Sequence, residues 1–210
     1  MIELCGVRKL LGGRPVLDGV DLHIQACECV VLTGDSGAGK TTLLRLVAGL
    51  DRPEAGSIKL RGTNAAPLAP HERKLAFQFQ EPALWPHMSL LANVAFGGAG
   101  AATRAAQFLE RAGLKAMAQR KPSEISGGEA QRAGLARSLA PRRDILLLDE
   151  PLSNLQPALR LAMAEWIREE IQLTRAACIW VAHDEAEADG VADRRLRLAD
   201  GKLTCAAAKR

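Results

Sequence analysis

Apolar and polar positions along the chain follow two periods, and the switches between them mark the elements. Residues 2–8 and 20–24 read as short strands on either side of "LLGGRPVLDG", whose Gly and Pro signal turns. "CECVVLT" (27–33) is a compact apolar run of strand length that leads straight into a glycine-rich stretch. "GKTTLLRLVAG" (39–49) has helical spacing and stops at Gly49, a natural C-terminal cap. "GSIKLRG" and the alternating "KLAFQFQ" (74–80) read as strands. Helical patterns follow at about 89–96, 101–112 and 128–140. "DILLLDE" is short, rich in Ile and Leu and closed by acids, which favours a buried strand. Pro157 opens a helix over 157–173, with Leu159, Met163, Trp166, Ile167 and Ile171 on one core-facing stripe. "ACIWVAHD" is a further buried strand, and Asp200-Gly201 in "RRLRLADGKLT" signals a hairpin.

Strands alternating with helices predict an α/β fold, a mostly parallel sheet covered by helices. The all-helical stretch from about 89 to 140 breaks the alternation. The expectation is one domain over residues 1–210 with a small helical subdomain inserted at about 84–125. Strands near both termini predict an added antiparallel sheet. Only a short tail follows the last hairpin, so no C-terminal regulatory domain is expected.

Composition narrows the class. With 48% apolar and 25% charged residues the chain has an ordinary soluble composition, and no run approaches the ~18 apolar residues of a membrane span. The N-terminus lacks a basic segment followed by an apolar one, so a cytosolic chain is expected, with any membrane attachment made through a partner. The net charge of +4 is mild and its basic residues are scattered apart from Arg194, Arg195 and Arg197; nucleic-acid binding is not expected. Five cysteines, Cys5, Cys27, Cys29, Cys178 and Cys205, are an odd count without a signal segment and are read as reduced thiols; Cys27 and Cys29 have no second ligand pair to complete a zinc site.

"GDSGAGKTT" matches G-x-x-x-x-G-K-[ST] in full. Gly34, Gly37 and Gly39 let the backbone of Gly34, Asp35, Ser36, Gly37, Ala38, Gly39, Lys40, Thr41 and Thr42 turn its N–H groups inward at a helix start, where they hold nucleotide phosphates. Lys40 should reach the β and γ phosphates, and the Thr41 hydroxyl should hold Mg²⁺. Asp149 at the end of "DILLLD" offers a carboxylate to the same Mg²⁺, and Glu150 is placed to orient and deprotonate an attacking water.

A second glycine-rich stretch, "ISGGEAQR" (125–132), has no lysine. Ser126 and Glu129 have capping-box spacing, so a capped helix and nothing more is one reading. Gly127 and Gly128 lower helix propensity, which makes sense where a ligand approaches the backbone, and helix-start N–H groups favour an anion. On this reading the anion is the nucleotide of a second copy, arranged head to tail so that two composite sites form.

"GDSGAGKTT", "ISGGEAQR", "ILLLDEP" and "VAHD", in this order, closely resemble the nucleotide-binding subunits of ABC transporters, over essentially the whole chain. The resemblance implies a P-loop NTPase core with an antiparallel β subdomain and an inserted helical subdomain. It also implies two such domains sandwiching two ATP molecules, with Ser126, Gly127, Gly128 and Glu129 on the partner's ATP. It assigns Gln80 to a loop that senses Mg²⁺ and water, and His183 to the γ-phosphate. Of the four catalytic candidates, Glu150, His183, Gln80 and Lys40, it therefore supplies two. "EPALWPHMSLLANVAFG" resembles the surface that receives a coupling helix from a transmembrane permease subunit, with Trp85, Pro86 and Met88 as groove residues, and resembles bacterial importers of small polar solutes or oxyanions. The implied partners are the permease, a second copy or a paralogous ATPase subunit, and indirectly a solute-binding protein. The implied location is the inner face of the cell membrane.

Three positions depart from the family pattern. Leu11 stands where an aromatic ring usually stacks on adenine, Gln156 where Asp is normal before Pro157, and Cys27 where Gly usually precedes Glu. None of these touches Lys40, Asp149, Glu150 or His183, so ATP hydrolysis is expected with modestly weaker nucleotide affinity. The alternative is a soluble ABC-type ATPase acting on nucleic acid or ribosomes, which ordinarily needs a coiled-coil insertion or a second nucleotide domain.

Overall fold

The structure is a computed structural model that describes residues 1–184, 188 and 190–205. Among them are ten strands and five α-helices. In chain order these are β1 (Ile2–Leu11), β2 (Arg14–Ile24), β3 (Cys29–Thr33), α1 (Lys40–Ala48), β4 (Ala55–Leu60), β5 (Thr63–Asn64) and β6 (Ala76–Gln78). They continue with α2 (Leu90–Ala95), α3 (Ala99–Arg111), α4 (Gly127–Leu139), β7 (Ile145–Asp149), α5 (Pro157–Thr174), β8 (Ala177–Val181), β9 (Arg194–Ala199) and β10 (Lys202–Cys205).

The central sheet has strand order β10-β9-β3-β8-β7-β6, parallel from β9 to β6, with β10 antiparallel at one edge. Every residue of β3, β7 and β8 is buried. These strands are apolar throughout because both faces of the sheet are covered. Cys29 and Val31 pack with α2 to α5 in one core, whereas Val30 and Leu32 pack with α1 and the inner face of a second sheet in the other. Period-two alternation thus sends successive side chains of one strand into two different cores.

The second sheet is antiparallel, with order β2-β1-β4-β5. Its first hairpin differs from the expectation of two short strands around a ten-residue loop. The strands run to Leu11 and from Arg14, leaving Gly12 and Gly13 as a two-residue turn with φ of 56° and 79°. That is the backbone of a tight primed turn. Gly19 and Pro15, which read as loop signals, sit inside β2, and the β1–β2 pairing accommodates them through shifts of register. The C-terminal hairpin also departs from expectation: β9 joins the central sheet beside β3, so it extends the parallel layer and not the antiparallel one. β6 is shorter than the seven-residue run that predicted it, ending at Gln78.

Arg61 ties the layers together. Its guanidinium forms a fork on Asp144, just before β7, and donates to the carbonyls of Arg73 and Lys74. Arg73 is itself buried and caps α1, donating through Nη1 to the carbonyls of Leu46 and Val47.

Candidate nucleotide site

β3 ends at Thr33 and α1 begins at Lys40, and the six residues between them make the turn. Gly34 and Gly39 are required twice over. Their φ values are 148° and 103°, and a Cβ at either would come within 2.4 Å of the Leu198 carbonyl or 2.8 Å of the Val16 carbonyl. The loop is therefore clamped between β9 on one side and β2 on the other. Gly39 caps α1 with no side-chain cap bond, which leaves the first N–H groups of the helix suited to an anion. The Lys40 ammonium is held over this loop by the carbonyls of Gly34 (2.6 Å) and Asp35 (3.1 Å).

Parallel strand order brings the acids alongside. Asp149 is the last residue of β7 and is buried. Burial pushes its carboxyl pKa up, opposed by a hydrogen bond from the Thr41 hydroxyl. Glu150 follows at φ 46°, its N–H donating to the Val181 carbonyl at the end of β8 (3.0 Å). Gln80 Nε2 donates to the Glu150 carboxylate at 3.1 Å. His183 lies two residues past Val181 and is exposed. The fold thus gathers Thr41, Asp149, Glu150 and Gln80 at one end of the central sheet, residues separated in sequence by up to 109 positions.

"ISGGEAQR" opens α4. Ser126 caps the helix, its N–H and hydroxyl both bonded to the Glu129 carboxylate (2.7 and 2.8 Å). The Ser126 N–H, first, and then its hydroxyl lower the Glu129 carboxyl pKa. The capping box is present, yet it leaves the glycines unexplained. A Cβ on Gly127 would meet nothing within 4 Å, and one on Gly128 would make only ordinary contacts, 3.8 Å from Asn154 and Leu155. Neither has a positive φ.

The sequence profile of the family described as ABC transporter matches residues 17–153. This chain belongs to the ABC transporter family. Its relatives include the sulfate/thiosulfate import ATP-binding protein CysA of Salmonella typhi, 38% identical over 96% of this chain and 58% of that protein. CysA of Escherichia coli K12 is 37% identical with the same coverage. The chain therefore spans somewhat under two thirds of the length of these relatives. Among solved structures, a dimeric post-hydrolysis state of the ATP-binding cassette MJ0796 bound to ADP and Pi superposes with a TM-score of 0.88. It is 28% identical and covers 98% of both chains. A second structure, described as dimeric MJ0796, a bacterial ABC transporter cassette, also has a TM-score of 0.88. It is 29% identical and covers 97% of this chain and 96% of that one.

The family's unusual positions in this chain now have a geometry. Leu11 ends β1 and is 49% exposed. Cys27 takes φ 64°, the left-handed region in which its Cβ is strained. Gln156 stands at the N-cap of α5 with no side-chain cap bond. The segment after Gln80 borders a groove of about 360 Å³ lined by Phe77, Phe79, Ala83, Trp85, Phe96 and Pro141, among others. Of the three residues named above for a docking groove, Trp85 lines this one, while Pro86 and Met88 are not among the lining residues. The main chain at Trp85 is fixed by Asn93, whose Oδ1 accepts from the Trp85 backbone N–H (2.7 Å) and whose Nδ2 donates to the Trp85, Met88 and Ser89 carbonyls.

Two features escape sequence reasoning. Gln131, the buried amide of "GGEAQR", donates to the carbonyls of Glu150 (3.2 Å) and Pro151 (3.0 Å), so the helix that carries the second glycine motif also holds the main chain of the candidate base. Gly134, one turn further, makes room for the buried Gln78 amide, which accepts from Ser138 Oγ at 2.9 Å. The glycine pair before Gln131 was a visible signal for the motif; nothing local marks Gly134.

Proposed function

We propose that this chain binds and hydrolyses ATP as the nucleotide-binding subunit of a membrane importer, working as a head-to-tail dimer with a second copy or a paralogous subunit. The observation that carries the proposal is the convergence of Thr41, Asp149, Gln80 and Glu150 beside an uncapped helix start. The buried Asp149 carboxyl is short of compensating positive charge, which fits a divalent cation. Thr41 and Asp149, with Gln80, would hold Mg²⁺, whose chemistry is to neutralise phosphate charge. The backbone N–H groups from Gly34 to Thr42 and the Lys40 ammonium bind the phosphates of ATP. Glu150 orients a water and takes its proton as the water attacks the γ-phosphorus, the bond from that phosphorus to the β-phosphate oxygen breaks, and ADP and phosphate leave. Gln80 steers the Glu150 carboxylate, and His183 meets the γ-phosphate. Leu11 offers an aliphatic contact to adenine.

The second motif completes the partner's site. Gly127 and Gly128 have no reason within their own chain, which supports a ligand that approaches from outside it. In this reading Ser126 to Glu129 cover the ATP of the facing copy. Residues 1–210 act as one domain, and the helical insertion at about 84–125 carries the groove side. The groove under Trp85 and Phe96 receives a helix of the permease on the cytoplasmic face of the membrane. The sulfate/thiosulfate importers among the relatives make an oxyanion the first solute class to test, delivered through a solute-binding protein.

Replacing Gly128 by Asp tests the composite site. A carboxylate there repels the facing triphosphate, so ATP-driven dimerisation, measured by light scattering, is lost while each monomer still takes up nucleotide. Undiminished dimers in the variant would exclude this motif from the partner's pocket.

A further inference from the structure

The phosphate loop carries a contradiction: directly after its first glycine stands Asp35, a carboxylate in a loop that should hold a polyanion. The Asp35 side chain is 86% exposed, so the fold does not withdraw its charge. Asp149 and Glu150 add negative charge nearby, against the ammonium of Lys40. Left alone, Asp35 opposes the arrival of every phosphate.

β9 supplies the answer. It lies parallel to β3 with Arg197 opposite Thr33, the residue before the loop. Thr33 Oγ1 donates to the Leu196 carbonyl, and the Leu198 carbonyl is packed against Gly34 so closely that no Cβ fits. The strand is thus fixed to the loop on both sides of Arg197. Leu196 and Leu198 turn into the core, and Arg197 alternates outward between them. Its Nη2 reaches Asp35 Oδ1 at 3.4 Å. A pair this exposed adds little to folding stability. Its effect is on what the loop binds.

We propose that Arg197 is a positioning residue of the nucleotide site, neutralising Asp35 so that the loop accepts polyphosphate with an affinity graded by ligand charge. This rests on the reading of Gly34–Thr42 as the nucleotide loop. Binding of AMP, ADP and the non-hydrolysable adenylyl imidodiphosphate to the full chain, by calorimetry at low and high ionic strength, tests it. Arg197→Gln weakens the triphosphate analogue by about three- to ten-fold, ADP less and AMP least, and high salt erases the difference. Arg197→Lys keeps the charge and most of the affinity. Asp35→Asn tightens binding, and the double variant Asp35→Asn with Arg197→Gln returns close to wild type. A purely structural arginine would weaken all three ligands equally and would not be rescued by Asp35→Asn. That pattern, or an Arg197→Gln chain with unaltered binding, overturns the proposal. Wild-type chain that binds none of the three nucleotides overturns the nucleotide reading itself, and this proposal with it.

Discussion

At the residue scale, Glu150 is held through its backbone N–H and carbonyl, while its carboxylate accepts from the Gln80 side-chain amide. Its N–H goes to Val181, its carbonyl accepts from Gln131 and Ser153, and Gln80 donates to the carboxylate. Glu150→Gln therefore keeps the backbone and should retain ATP, but phosphate release falls by at least about 100-fold, the contribution of a general base. Fast turnover in that variant rules Glu150 out as base. Asp149 makes a separate prediction. Burial raises its folded pKa, so the folded state holds its proton more tightly than the unfolded state. This group's contribution favours folding at low pH and is lost as pH rises from the unfolded value through the folded one. At neutral pH this carboxyl is a net cost to the nucleotide-free fold. Asp149→Asn should then raise the denaturation midpoint of the apo chain at pH 7, with a smaller gain near pH 4, while abolishing Mg²⁺-dependent turnover. A lower midpoint at pH 7 contradicts the assignment. Lys40 was legible because its partners, the Gly34 and Asp35 carbonyls, lie in the loop that leads into its own helix. Gln131 and Arg197 were not, because their partners lie 19 and 162 residues away.

At the element scale, α4 is the piece that connects sites. Its cap carries the second glycine motif, its second turn grips the Glu150 carbonyl through Gln131, and its later turns pack on β6 through Gly134 and Ser138. Helix propensity alone favours Ala over Gly at 134 by about 1 kcal/mol. The structure reverses that sign. A Cβ there would stand 2.9 Å from Gln78 Nε2 and 3.0 Å from the Pro82 Cβ, and overpacking costs about 1–3 kcal/mol. Gly134→Ala should lower stability in chemical denaturation, and adding Gln78→Val, which empties the crowded space, should restore it. Stabilisation by the single change would show that β6 and α4 are looser than this packing. The elements themselves were mostly legible: α1 closes at Gly49 and α5 opens at Pro157, as their local end signals indicate. The first hairpin was not, because Gly19 and Pro15 signal turns wherever they stand, and only the register with β1 shows them inside a strand.

At the scale of the whole molecule, one sheet covered on both faces sets the fold and delivers the loop, the acids and Gln80 to a common end. The proposal that a second copy completes each site has a concentration signature: ATP turnover per chain should rise with chain concentration and fall toward zero on dilution. A rate per chain that does not change with dilution removes the dimer from the mechanism. The order of apolar runs and glycine motifs by itself determined the α/β class, the glycine-rich turn from β3 to α1 and the acid pair at the end of β7, since each depends on contiguous residues and short-range backbone geometry. The tertiary structure alone decided the placing of β9 beside the loop, Gln131 under Glu150, Asn93 behind Trp85 and Arg73 over the end of α1. Each joins groups that chain spacing leaves far apart, and nothing local distinguishes the polar side chain that will be buried from the one that will stay in water.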